Sequence, residues 1–245
     1  MDVLVVENMP HSDIGLVGVA LCEAGARMEA VRPYLAETLP QTADKHDALV
    51  VLGGEQSARD DALHPYLPDL ARLMRRFCEA DRSVLGICLG SQVLARAYDA
   101  DNHLGQATEF GWQPITLTDA GRADAVLSAA GDTVPAFEWH SDTFTLPPGA
   151  QWLAHTTAVP LQAFRIGRAG YGMQFHFEAG TKVIADWKRI YKDQIDWIDP
   201  EWLAHAQDLE TRHGAASDAA GLALARAWVR TIVARSDQAV VSDAA

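Results

Sequence analysis

Short apolar runs and helical spacings alternate through the first hundred residues. Residues 3–6 read as a buried strand, 14–24 carry helical spacing, and 48–52 form a second buried strand that ends at Gly53-Gly54. Residues 67–80 place Leu70, Leu73, Met74 and Phe77 on one helical face. Residues 83–87 are a third apolar strand running into Cys88, and 91–98 form the helix that follows. Strands that are apolar throughout and separated by helices predict a parallel sheet covered on both faces, so the fold class is α/β.

The pattern changes beyond Gly111. Residues 113–118, 135–139, 152–156, 161–166 and 171–176 are short strand candidates, punctuated by Pro147-Pro148-Gly149 and by 167–170. They predict antiparallel or mixed strands added to the parallel core. After Gly180 three helices are expected, over 182–193, 201–212 and 216–234, and a frayed tail over 236–245. This predicts one domain: a core over 1–180 with a helical segment over 181–235 and a disordered tail.

Composition narrows the function. The chain has 245 residues, about half of them apolar, with 20 basic and 33 acidic side chains and a net charge of −13. A surface that acidic repels phosphate backbones and anionic lipid, so neither nucleic acid nor membrane is an expected partner. Three cysteines without regular spacing (Cys22, Cys78 and Cys88) argue against a disulfide framework or a structural zinc site. Residues 1–7 lack the basic start and long apolar stretch of a signal peptide, so a reduced, cytoplasmic protein is expected.

The candidate chemistry lies at Gly86-Ile87-Cys88-Leu89-Gly90, between a predicted strand and a predicted helix. A glycine on either side of the central residue permits a turn tight enough to lift that residue above the sheet edge, the geometry of a nucleophile elbow. A cysteine there sits at a helix N-terminus, where the dipole favours thiolate, and the Leu89 N–H can help bind an oxyanion. Cys22 and Cys78 lie on helices and are expected to be core residues. A cysteine nucleophile requires a base. Of the nine histidines, His11, His46, His64, His103, His205 and His213 sit in polar surroundings and are expected at the surface, while His155 lies in a strand. His176 ends an apolar strand, and Glu178 two residues on would project to the same side while Phe177 points away. A carboxylate so placed orients the imidazole.

Together these segments resemble the class I, triad-type glutamine amidotransferases, in particular stand-alone proteins similar to the amidotransferase domain of GMP synthetase. The likeness rests on residues 86–92 and 172–178, on the glycine loop at 50–57, on Glu109-Phe110-Gly111-Trp112, and on Glu138-Trp139-His140-Ser141-Asp142-Thr143-Phe144, all in family order. It implies a flavodoxin-like fold and hydrolysis of the glutamine side-chain amide through a γ-glutamyl thioester on Cys88. His176 would transfer protons and Glu178 would orient it. The N–H groups of Gly54 and Leu89 would form the oxyanion hole. Gly53, Gln92, Trp139, His140 and Asp142 would lie against the substrate. No cofactor and no metal are implied. The sequence departs from the family pattern at Phe177 and at Glu55, two positions where proline is frequent.

Three functions compete on these residues. One is an amidotransferase passing ammonia to a separate synthetase chain, since no GxxxxGK[ST] loop is present. Another is a stand-alone γ-glutamyl peptidase, identical up to the thioester, for which a wider pocket beyond the scissile bond would speak. The third is a non-catalytic regulatory module. A cysteine α/β-hydrolase is disfavoured, because its acid would precede the histidine. Trp187, Trp197, Trp202 and Trp228 are expected to pack in the core.

Overall fold

The computed structural model describes residues 1–234. The predicted tail, 236–245, lies outside them. In chain order the elements are β1 (Asp2–Val6), α1 (Gly15–Glu23), β2 (Arg27–Val31), β3 (Ala48–Val51), α2 (Leu67–Glu79), β4 (Ser83–Ile87) and α3 (Leu89–Ala97). The middle of the chain adds β5 (Asn102–His103), β6 (Glu109–Leu117), α4 (Asp119–Ala123), β7 (Thr133–His140), β8 (Thr143–Phe144), β9 (Gln151–His155), β10 (Ala163–Ile166) and β11 (Gly170–Met173). Three helices follow: α5 (Thr181–Ile190), α6 (Lys192–Ile198) and α7 (Trp202–Val229).

Nine strands form one sheet in the order β2-β1-β3-β4-β11-β10-β9-β6-β7. The first five run parallel, among them the three apolar runs predicted to do so (β1, β3 and β4), and the rest pair antiparallel. The order β2-β1-β3-β4 is that of the flavodoxin-like doubly wound sheet. Alternation along each central strand supplies both layers. Val3 and Val5 pack with Val17 and Leu21 of α1 and with Leu224 and Trp228 of α7. Leu4 and Val6 point the other way, onto Leu70, Met74 and Phe77 of α2 and Val93 and Leu94 of α3. A third cluster, Phe137 with Val183, Ile184, Trp187 and Trp202, fastens the C-terminal helices to β7.

Several expectations are corrected. β2 carries no apolar signal, because it is an edge strand with four exposed residues out of five. The two helices expected over 201–212 and 216–234 are one helix of 28 residues. Gly214 does not break it. A Cβ there would lie 2.7 Å from Thr181 Cγ2, so glycine permits close packing against the start of α5. The strand expected over 171–176 stops at Met173. Cys22 is exposed, since α1 is apolar almost all round and its pattern selects no face. His46 is buried, with Nε2 3.0 Å from Glu29 Oε2.

α7 also touches the chain beside His176. A Cβ on Gly221 would fall 2.1 Å from the carbonyl oxygen of Phe177. Gly221→Val is expected to lower stability by about 1–3 kcal/mol through overpacking. Urea denaturation followed by tryptophan fluorescence would measure the loss.

Candidate active site

The carboxyl ends of β1, β3, β4 and β11 converge on one crevice, the position where doubly wound sheets place their sites. Its floor is the turn between β4 and α3. A Cβ on Gly86 would lie 2.3 Å from Gly90 O, and one on Gly90 would lie 2.1 Å from Val51 O. Neither position admits a side chain, so the turn predicted from the sequence is present and is held against β3. Cys88 sits at its apex with φ 50° and ψ −109°, a backbone conformation rarely adopted by residues other than glycine. Its N–H donates to Met173 O at 2.9 Å and its carbonyl accepts from Ser91 Oγ at 2.7 Å, which hold the strained turn from both sides.

His176 arrives by a route the sequence did not show. β11 has already ended, and the histidine is placed by an isolated bridge to β7, its N–H donating to Phe137 O at 2.8 Å. The i, i+2 relationship survives outside the strand: Nδ1 lies 2.7 Å from Glu178 Oε1, while Phe177 turns into the core. Gly53 packs between Cys88 and His176. A Cβ there would be 3.1 Å from His176 Cε1 and 3.5 Å from Cys88 Cβ. Burial by itself would lower the affinity of His176 for a proton. The Glu178 carboxylate, the facing Cys88 and the hydrogen bonds to both outweigh it and hold the pKa well above 6.5.

The other predicted residues gather around this pair. A Cβ on Gly54 would lie 2.8 Å from Leu89 Cδ2, so the Leu89 side chain packs against Gly54. Leu89 opens α3, where N–H groups have no intrahelical acceptor. Gln92 is buried on α3 and donates from Nε2 to Gln174 Oε1 at 3.2 Å. The Trp139 carbonyl lies 3.8 Å from Cys88 Sγ. Asp142 Oδ1 accepts from Gly105 N–H at 2.8 Å. Gly53, Gly54, Gln92, Trp139, His140 and Asp142 all line the cleft with Cys88, His176 and Glu178.

His140 also belongs to a buried polar network that sequence reasoning missed. Its Nε2 is 3.2 Å from Glu109 Oε2 and 3.2 Å from Glu138 Oε2, and Nδ1 is 3.0 Å from Asp142 O. Glu109 additionally accepts from Thr156 Oγ1 at 2.6 Å and Gln162 Nε2 at 2.5 Å. Both His140 nitrogens face acceptors, the pattern of an imidazolium. Burial opposes that charge, but the two carboxylates prevail and raise the pKa to about 10. Burial also raises the pKa of Glu138, with His140 opposing it. Glu109, Glu138 and His140 bring three ligand-type atoms within 4.8 Å, a grouping not anticipated from sequence, although Nε2 is here oriented as a donor. Glu109, Thr156 and Gln162 come from separate strands and loops, so no spacing could have linked them to His140.

The tryptophans divide. Trp202 and Trp228 are core, as expected. Trp187 is largely buried but also lines the cleft, its ring 5.1 Å from that of His176 and edge-on to it. Trp197, expected in the core, is 85% exposed at the cleft rim.

The His140 network makes stability pH-dependent. Because the folded pKa is raised, its contribution is complete below about 6.5 and is lost as pH rises through about 10. His140→Gln leaves two buried carboxylates without their cation and is expected to cost about 3–5 kcal/mol at neutral pH. Chemical denaturation across that range should find the gap between wild type and variant narrowing towards pH 10.

Comparisons with known proteins show the family. The class-I glutamine amidotransferase family matches residues 16–185. The chain is 38% identical over 156 residues to the glutamine amidotransferase-like protein YfeJ of Salmonella typhimurium, covering 62% of this chain and 65% of YfeJ. It is 30% identical over 130 residues to a glutamine-hydrolysing GMP synthase subunit of Methanoregula boonei, covering 51% and 68% of the two chains. The chain thus spans about two thirds of the length of these relatives. A glutamine amidotransferase structure from Thermotoga maritima superposes with a TM-score of 0.82 at 26% identity, covering 96% of this chain and 99% of that one. With the family pattern matched over most of its length and the same fold throughout, the chain belongs to the class-I glutamine amidotransferases.

Proposed function

We propose that this protein hydrolyses the side-chain amide of glutamine through a thioester on Cys88. The observation that carries the reading is Cys88 at the apex of a strained turn, facing a His176 whose Nδ1 is 2.7 Å from Glu178. The thiolate attacks the amide carbon, and the negative charge moves to the carbonyl oxygen, where the N–H groups of Gly54 and Leu89 receive it. His176 Nε2 gives its proton to the leaving nitrogen, the C–N bond breaks, and ammonia departs. A water then enters, gives a proton to the same nitrogen and attacks the thioester. Glutamate leaves and Cys88 is restored. Glu178 keeps the imidazole in the required orientation throughout. Gln92, Trp139, His140 and Asp142 line the remainder of the substrate's surroundings.

The relatives named for GMP synthase support transfer of the ammonia to a synthetase. This chain carries no GxxxxGK[ST] loop, so a phosphate-activating site of that type would belong to another polypeptide or segment.

Release of glutamate from glutamine tests the reading. Cys88→Ala and His176→Ala are expected to lose roughly 10³-fold or more in kcat, and Glu178→Gln roughly 10²-fold, with circular dichroism unchanged. Undiminished cleavage by Cys88→Ala would remove the assignment of the nucleophile.

A further inference from the structure

The cleft is larger than its proposed substrate. Its volume is about 860 Å³, within the roughly 300–1,000 Å³ that holds much bulkier ligands than an amino acid. The surplus lies on a definable side. The leaving nitrogen must take its proton from His176, so the leaving group departs past that ring. There the wall is aromatic. Trp187 meets His176 edge-on, Trp139 is 5.6 Å from Trp187 and 5.7 Å from Tyr191, and Trp197 stands exposed on α6 at the rim. Ammonia needs none of this surface.

The charge on the wall is equally definite. Asp13 and Glu55 are exposed at the rim, and Glu55 is close enough to Tyr191 to help raise its pKa, after burial. Among the described residues lining the cleft there is no lysine or arginine. Aromatic rings beside rim carboxylates attract an ammonium group and repel a carboxylate. Glu55 also occupies a position where the sequence departs from the family pattern, so this charge is not part of the shared glycine loop.

We infer that the cleft accepts γ-glutamyl amides whose amine carries a second, positively charged nitrogen at its far end, as in a γ-glutamyl diamine. The inference rests on the proposed thioester chemistry and extends it to the leaving group. The γ-glutamyl amide C–N bond breaks, His176 supplies the proton to the departing nitrogen, the diamine leaves, and water releases glutamate from Cys88. No oxidant or further reactant is required.

A series of amides differing only at the far end tests this. The γ-glutamyl amides of 1,4-diaminobutane, n-pentylamine and 4-aminobutanoate end in ammonium, methyl and carboxylate. Glutamine completes the set. kcat/KM for glutamate release is expected to fall in the order ammonium, methyl, carboxylate, with the ammonium amide about tenfold above glutamine. Glu55→Gln should narrow the ammonium-to-methyl ratio. Trp197→Ala should weaken both extended amides and leave glutamine cleavage unchanged. Binding of the same amides to Cys88→Ala, read by tryptophan fluorescence, should show the same order without turnover. Glutamine cleavage with no discrimination across the series, or a preference for the carboxylate, would overturn the inference while leaving the proposed hydrolysis standing. Failure to release glutamate from any of the four would overturn both.

Discussion

The approach of one turn to one strand governs the whole site. Gly86 and Gly90 let the backbone after β4 fold against β3 closely enough that no Cβ fits at either place. That closeness forces Cys88 into positive φ and lifts its sulfur above the sheet edge. It also packs the side chain of Leu89, the first residue of α3, against Gly54. The strain is borne by parallel strands buried on both faces, whose residues fill two opposite apolar layers. A less rigid sheet would let the turn relax and withdraw the cysteine.

The antiparallel half of the sheet places His176. His176 hangs from β7 through one backbone hydrogen bond to Phe137, and α7 presses on the carbonyl of Phe177 from behind. β7 continues directly into Glu138, Trp139 and His140. The same strand therefore positions the imidazole, the carbonyl beside Cys88 and the buried imidazolium network. The C-terminal helices are bound into this arrangement, because α5 contributes Trp187 to both the third apolar cluster and the cleft wall.

Local chemistry made much of the site legible. The turn could be read because Gly86, Cys88 and Gly90 are close in sequence and their steric consequence is local. The His176–Glu178 pair could be read for the same reason, although the strand assumed to carry it ends at Met173. The Glu109–Glu138–His140 network could not, since its partners Thr156 and Gln162 meet it only through sheet pairing. Trp197 was misjudged. An aromatic residue on a helix carries the same pattern whether its face meets a core or a cleft, and only packing separates the two. Gly214 misled in a similar way, because the residue that ends helices is also the one that lets two of them touch.

By itself, the sequence determined the α/β class, the parallel core, the tight turn that carries Cys88 and the pairing of His176 with Glu178. Each follows from periodicity or from residues a few positions apart. Tertiary structure alone decided the strand order, the continuity of α7, the charged state of His140 and the aromatic, acidic wall beside His176. Those depend on groups far apart in the chain whose desolvation and mutual charge exist only once the sheet has closed and the last helices have packed against it.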